Sequence, residues 1–165
     1  MKKFICLLLV ITISFLLIAC HSKSSKDTQL FYYLRKEIDF ESESPVIGSE
    51  LHRSGTDLNA ILQLYLNGPE SAELSSPIPV GTTLISTEIQ DDTLSICLSD
   101  SFAQITGLDL SLACIALSKT AMEIADVQLV RICTENEQLN GDKWFAVSED
   151  LVHLTEFDHP DNDNN

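Results

Sequence analysis

The chain has 165 residues, and its 25 acidic side chains against 10 basic ones give a formal charge of −15. A charge of this sign argues against nucleic acid as a partner, because phosphate binding needs clustered lysine and arginine. The length suits one compact domain with short additions at its ends.

A basic start, an apolar middle and a small residue before a cysteine make up the first twenty residues, "MKKFICLLLVITISFLLIAC". This order is typical of a bacterial export signal, and the apolar run is shorter than the roughly 20 residues of a spanning helix. The "LIAC" segment at 17–20 resembles a lipobox. We therefore predict a lipoprotein signal peptide over 1–19 and a diacylglyceryl group with palmitate on Cys20. An uncleaved membrane anchor is the alternative.

Polar segments flank the part of the chain that can fold. Residues 20–29 are polar and serine-rich and predict a flexible tether, whereas residues 158–165 are acidic and predict a disordered tail. The domain is expected over 30–157. Cleavage removes Lys2 and Lys3, which leaves 8 basic against 25 acidic residues and a charge of −17. An anionic membrane should repel such a body, so the lipid should make the membrane contact.

The first half of the domain predicts a strand and a helix. The aromatic and apolar "LFYYLRKEIDFE" indicates a strand from Leu30 to about Phe40. Part of the polar segment 41–55 can pair with it as a hairpin. Apolar residues then recur with the spacing of one helix face: Leu58, Ile61, Leu62 and Tyr65.

Capping residues mark both ends of this helix. Thr56 or Asp57 can accept hydrogen bonds from the free N–H groups of the first turn. Gly68 tolerates a left-handed cap, and Pro69 cannot continue a helix because it lacks an N–H.

A proline-rich segment, "SSPIPVGT", connects this helix to the next strands. Pro77 and Pro79 disfavour helix in the residues before them and predict an extended path. Gly81 permits a tight turn into "TTLISTEIQ". Together with "LSICLS" across the turn "DDT", this strand predicts a β-hairpin with one buried face.

The second half repeats the pattern of a helix followed by strands. "LDLSLACIALSKTAMEIA" predicts a helix with one apolar face, formed by Leu110, Ala113, Cys114, Leu117, Ala121 and Ile124. "DVQLVRICTE" predicts a further strand. Asn140-Gly141 is a strong hairpin signal, and it leads to "KWFAVSEDLVHL", a last strand at the sheet edge. The whole order predicts an α+β fold, with two helices packed on one face of a mostly antiparallel sheet.

The motif residues of this pattern resemble those of the GerMN domain of sporulation and spore germination, over roughly residues 30–134. They are Gly68, Pro69, Pro77, Pro79, Gly81, Leu98, Ser99 and Phe102. The chain departs from the family at Asp91-Asp92, where Asp-Gly is common, and at Cys97, where an acid is common. The resemblance implies a GerM-like envelope lipoprotein with a βαββαβ-like fold similar to ring-building motifs. It also implies a non-enzymatic interaction domain connected with sporulation or germination.

No residue pattern in the chain points to catalysis or to a cofactor. Ser99 and Asp100 lack the glycine-flanked elbow of a hydrolase and a convincing base, so we interpret them as turn or helix caps. The four histidines do not stand at metal-ligand spacing, and no alternating calcium ligands occur. We therefore predict no enzyme activity, no cofactor and no metal site.

The remaining cysteines leave one question open. Cys97, Cys114 and Cys133 lie in apolar segments, where a free cysteine behaves as a small hydrophobe. Outside the cytoplasm their odd number permits one disulfide, but the sequence does not choose the pair.

Two functions of different class fit these observations. The first is a lipid-anchored module that faces outside the cytoplasm and docks on envelope or sporulation proteins or on copies of itself. The second is a solute- or cell-wall-binding lipoprotein. An exposed apolar face would favour the first, and a deep pocket with convergent polar groups would favour the second.

Overall fold

The structure is a computed structural model that describes residues 28–37, 46–53 and 55–153. The predicted signal peptide, Cys20, the tether and the acidic tail lie outside these residues. No helix within the described ranges is long and apolar enough to cross a membrane.

The described residues form seven strands, three α-helices and one 3₁₀ helix. In chain order they are β1 (Thr28–Arg35), β2 (Ile47–Arg53), α1 (Leu58–Leu66), β3 (Leu74–Ser75), β4 (Leu84–Gln90), β5 (Thr93–Leu98), the 3₁₀ helix (Asp100–Gln104), α2 (Gly107–Ala125), β6 (Leu129–Thr134), β7 (Phe145–Ser148) and α3 (Glu149–His153).

The strands form two sheets. One has three antiparallel strands in the order β2-β1-β3, and the other has four in the order β4-β5-β6-β7. In the second sheet only β5 and β6 run parallel. A parallel pair needs a long crossover, which α2 supplies between them. The predicted α+β class with mostly antiparallel pairing is therefore confirmed, although the strands divide into two sheets instead of one.

Helix α1 follows the local signals of its sequence. The Asp57 carboxylate accepts a hydrogen bond from the Ala60 N–H at 2.8 Å, which satisfies a donor of the first turn. Ile61, Leu62 and Tyr65 are buried on one face. The helix ends at Leu66, two residues before Gly68, whose φ of +88° lies in the left-handed region.

The end of the domain differs from its prediction. The last strand is only four residues long, and the following "EDLVH" forms α3. Acidic residues in a first helical turn, here Glu149 and Asp150, favour a helix because they face its positive end. Asn140 and Gly141, with φ of 52° and 90°, form a tight turn that carries one isolated bridge, Leu139 to Asp142, rather than two long strands.

One core joins both sheets and the helices. On the three-stranded sheet, Phe31 and Tyr33 are fully buried, and the Tyr33 ring stacks on Tyr65 of α1 with centroids 4.8 Å apart. The four-stranded sheet adds its inner face, formed by Leu94, Ile96, Leu98, Val130, Ile132 and Val147.

Side chains of α1 and α2 hold the edge of β1. The Tyr32 N–H donates to Thr120 Oγ1 at 2.9 Å, and the Tyr65 hydroxyl donates to the Tyr32 carbonyl at 3.0 Å. Thr120 itself donates to the Ala116 carbonyl of α2. These bonds satisfy backbone groups of β1 where β3 does not pair with it.

Candidate interaction surface

The motif residues that resemble those of the GerMN domain lie in two turns and at one strand end. Gly68 and Pro69 follow α1, and an added Cβ at Gly68 would stand 3.6 Å from the Ser76 Cβ. The loop after α1 therefore lies against the start of the proline-rich segment.

The proline-rich segment is built by its own hydrogen bonds. The Ile78 N–H donates to Ser76 Oγ at 3.1 Å, and the Ile78 side chain is buried. The Thr82 N–H donates to the Pro79 carbonyl at 3.1 Å. Gly81 has a φ of +88° at the third position of this turn, where a left-handed residue is required. The segment connects α1 to β4.

The "LSDSF" motif, residues 98–102, is bonded to the end of this connection at Thr83. Leu98 and Phe102 are fully buried. The Ser99 N–H donates to the Thr83 carbonyl at 2.9 Å, and the Thr83 N–H donates back to Ser99 Oγ at 3.0 Å. Ser99 stands at the N-cap of the 3₁₀ helix but makes no side-chain cap bond there. Its hydroxyl binds the neighbouring chain segment instead, which differs from the capping role that we predicted.

Asp100 holds a distant loop. Its carboxylate accepts hydrogen bonds from the Asn136 N–H at 2.8 Å, from Asn136 Nδ2 at 2.9 Å and from the Glu137 N–H at 3.3 Å. The bonds from Asn136 are the main reason that the pKa of Asp100 lies below its ordinary value. Asp100 is therefore an acceptor that fixes the loop after β6, and Ser99 is engaged with Thr83.

A second acceptor, Glu50 on β2, was not identified from the sequence. Its two carboxylate oxygens accept the backbone N–H groups of Glu70 and Ser71, both at 2.9 Å. His52 Nε2 lies 2.6 Å from Glu50 Oε1, and the imidazole stacks on Phe31 with centroids 4.5 Å apart. Glu50 thus ties the loop after α1 to the edge strand β2. No local signal marks this role, since the partners stand some twenty residues later in the chain.

Within the described ranges, no group of three or more His, Cys, Asp or Glu side chains is placed so that it could hold a metal ion. A groove of about 620 Å³ lies between α2, α3 and the segment that connects α2 to β6. Charged side chains dominate its lining: Asp92, Lys119, Glu123, Asp126 and Glu149. Lys119 Nζ also lies 4.8 Å from the centroid of the Tyr32 ring.

The face of the three-stranded sheet that points away from the core carries two apolar pairs. Leu30 pairs directly with Leu51, and Leu34 with Ile47. Directly opposed residues of an antiparallel pair share a face, and the intervening Phe31 is buried on the other one. We call Leu30, Leu34, Ile47 and Leu51 the outer apolar face.

This outer apolar face is open to contact. Leu51 is 71% exposed, and Leu30, Leu34 and Ile47 are half-buried. The four side chains stand apart from the core cluster of the described residues. Tyr32 and the exposed Ser49 lie between the two apolar pairs on this face. Clustered apolar side chains mark interaction sites more often than isolated exposed leucines do.

The chain matches a family model described as Germane, sporulation and spore germination, over residues 30–140. It is similar to the tandem GerMN domains of the sporulation protein GerM from Bacillus subtilis, with 21% identity and a TM-score of 0.55. That match covers 73% of this chain and 44% of the tandem structure.

The first GerMN domain of the same protein is 16% identical, with a TM-score of 0.56 and coverage of 74% of this chain and 98% of that domain. At these identities the two structures show a shared fold and nothing finer. No curated protein matches the chain.

Proposed function

Because the chain belongs to the sporulation and spore germination family, we propose that it is a lipid-anchored envelope protein whose domain binds other proteins and catalyses no reaction. The outer apolar face is the observation that carries this proposal. It carries one exposed leucine and three half-buried aliphatic side chains on a sheet whose other face packs into the core. A protein partner that covers this face would remove apolar surface from water, which favours association.

The proposal of a non-enzymatic role rests on how the candidate groups are used. Ser99 is bonded to Thr83, Asp100 to the loop at Asn136, and His52 to Glu50. His52 lies on β2 of the three-stranded sheet, whereas Ser99 directly follows β5 of the four-stranded sheet. Nucleophile, base and oxyanion donors are therefore not brought together among these residues.

The proposal of a lipid anchor rests on the first twenty residues and on charge. The "LIAC" segment places Cys20 where a lipobox cysteine stands. The mature chain would carry a charge of −17, and anionic lipid repels an acidic body. Two acyl chains on Cys20 would supply the attachment that the domain surface does not. The domain would then face outside the cytoplasm, among envelope proteins or further copies of itself.

One observation favours the second candidate, a solute- or wall-binding lipoprotein. The groove beside α2 has a volume within the range of ligand sites and a charged lining. A ligand for it would carry groups that bind both Lys119 and the surrounding carboxylates. The purified chain would be titrated with peptidoglycan fragments, and the acylation of Lys119 would be measured. Protection of Lys119 by the fragments would favour the solute- or wall-binding role, and unchanged acylation would favour the interaction module.

The interaction role is tested by capture from envelopes of the native cell with the lipidated protein as bait. Leu51→Asp places a charge at the most exposed residue of the outer apolar face. Leu108→Asp is the matched control, because Leu108 is 73% exposed but lies in the first turn of α2, where an acid is favourable. We expect Leu51→Asp to capture at least tenfold less partner protein than the parent, and Leu108→Asp to capture as much as the parent. Equal capture by parent and both variants would reject the outer apolar face as the binding site.

A further inference from the structure

Two of the three described cysteines face each other across the parallel strand pair. In the register of β5 and β6, Cys97 is the Cα partner of Cys133, between the pairs Ile96–Ile132 and Leu98–Thr134. Neighbouring strands lie about 4.8 Å apart. Disulfide-bonded cysteines have Cα atoms about 4.4–6.8 Å apart, so the backbone already holds a suitable separation.

Both side chains lie on the same face of the sheet. Ile96 and Ile132, the preceding residues, are fully buried in the core. Successive side chains of a strand alternate between faces, so Cys97 and Cys133 both point away from the core. The two Cβ atoms already lie on the same face of the sheet without any movement of the backbone.

The two thiols are also in contact. Burial, together with a hydrogen bond and a charge interaction with Cys97, raises the pKa of Cys133 to about 12, against the opposing charge of Lys143. Cys97 is half-buried, whereas Cys133 is almost covered, so Cys97 is the thiol that an oxidant can reach.

Cys114 stands apart from this pair. It lies on the buried face of α2 and is fully covered by the core, and burial raises the pKa of its thiol to about 12. An oxidant cannot reach this fully covered side chain, and the strand register pairs Cys97 with Cys133, not with Cys114. The structure, in which all three thiols are free, thus chooses between pairings that the sequence leaves open.

We propose that Cys97 and Cys133 form a disulfide across β5 and β6 when the chain meets a disulfide oxidant, and that Cys114 stays reduced. Formation of this disulfide requires only the folded chain and the oxidant, whatever the location of the protein. Its occurrence in the cell rests on the proposed location outside the cytoplasm, where disulfides persist.

The reaction balances with a disulfide as the oxidant, either a small molecule or a thiol–disulfide oxidoreductase. The Cys97 thiolate attacks one sulfur of the oxidant and forms a mixed disulfide with it, and the other oxidant sulfur leaves as a thiolate that takes a proton. The Cys133 thiolate then attacks the Cys97 sulfur and displaces the oxidant sulfur that was bonded to it, which takes the second proton. The chain loses two protons and two electrons, and the oxidant gains them.

The bond would close a loop that contains the 3₁₀ helix, α2 and most of β6. It would fix the parallel pair at its end, beside the bonds that Asp100 makes to the loop after β6. Stabilisation by a crosslink increases with the length of the closed loop in the chain-entropy account. The oxidised chain should therefore melt at a higher temperature than the reduced chain.

The test uses the full chain, incubated folded with oxidised glutathione, alkylated and cut with trypsin. Cleavage at Arg53, Lys119, Arg131 and Lys143 places Cys133 in peptide 132–143 and both Cys97 and Cys114 in peptide 54–119. The Cys114→Ala variant removes this ambiguity, and Cys97→Ala is its matched counterpart. We expect the linked pair of peptides in the parent and in Cys114→Ala, and its loss in Cys97→Ala.

The linked Cys114→Ala chain should also melt more than about 5 °C above its reduced form. Alkylation of both Cys97 and Cys133 after oxidation would overturn the proposal, as would a link that survives Cys97→Ala. This test needs neither export nor a lipid anchor. A failure of the proposed location would appear separately, as a chain that oxidises in the tube but is fully reduced when its thiols are trapped in cells.

Discussion

Replacement of Glu50 by glutamine should measure how much the contact between β2 and the loop after α1 stabilises the fold. The parent carboxylate accepts one backbone N–H on each oxygen, from Glu70 and Ser71, and it contacts His52. Glutamine retains one acceptor oxygen and turns an NH₂ group toward a backbone donor. One hydrogen bond is lost and an N–H group loses its acceptor in a site where the Glu50 side chain is only 14% exposed.

The expected loss follows from the charge and burial of this site. A hydrogen bond to a charged group contributes about 1.5–3 kcal/mol, and a buried donor without a partner costs about 1–3 kcal/mol. These terms describe the same event, so we expect a loss of about 2 kcal/mol in the free energy of unfolding. For a domain of this size that lowers the melting temperature by roughly 8 °C.

The effect should depend on pH with a defined sign. Burial raises the pKa of Glu50, but hydrogen bonds from His52, Glu70 and Ser71 outweigh it and hold the pKa below its ordinary value. A carboxyl group with a lowered pKa in the folded state stabilises the fold above its unfolded pKa, about 4.3. That contribution is lost as pH falls through the folded pKa, so parent and variant should converge in acid.

Thermal and urea unfolding from pH 3 to 7 checks both statements. Glu88→Gln is the matched control, because Glu88 is exposed on β4, and it should unfold like the parent at every pH. If Glu50→Gln melted within about 1 °C of the parent at pH 7, or kept its full deficit at pH 3, the assigned role of Glu50 would be wrong.

Three further predictions concern the connector, the candidate nucleophile and the anchor. Gly81→Val should lower stability by about 1–2 kcal/mol, since the position has φ +88° but open space around it; Val80→Ala, at a fully exposed side chain, should change nothing in the same melting curves. Purified parent and Ser99→Ala should both show no turnover of esters, peptides or peptidoglycan fragments, and turnover abolished by Ser99→Ala would contradict the non-enzymatic proposal. Cys20→Ala should stay folded but leave the lipidated membrane fraction or persist as precursor, and a variant still cleaved and firmly membrane-bound would show that the anchor is mistaken.

The helices could be predicted because their signals are local. In α1, the Asp57 cap, the apolar spacing and Gly68 lie within a dozen residues and act on the same element. The two-residue turn at Asp91, with φ of 53°, likewise follows from residues that favour turns.

The division into two sheets could not be predicted, because it depends on which distant strands pair. The contact of Tyr32 with Thr120 spans 88 positions, and no local sequence signal predicts it. The outer apolar face was missed for the same reason. Alternating residues of β1 are apolar on both faces, so only the pairing with β2 and the core shows that Leu30 and Leu34 point outward.

The candidate sites show the same limit. The motif residues Ser99 and Asp100 were visible in the sequence, but their partners Thr83 and Asn136 were not. The choice of Cys133 as the partner of a second thiol needs the register of a parallel pair, which the crossover through α2 alone does not specify.

Complementation of a deletion strain tests most directly that the chain acts as an anchored interaction module. Sporulation and germination efficiency would be measured with the parent, Cys20→Ala, Leu51→Asp, Leu108→Asp and Ser99→Ala, each at equal protein level. The account predicts that Leu108→Asp and Ser99→Ala restore the parent efficiency, whereas Cys20→Ala and Leu51→Asp do not. Loss of function in Ser99→Ala, with full function retained in both Cys20→Ala and Leu51→Asp, would contradict it.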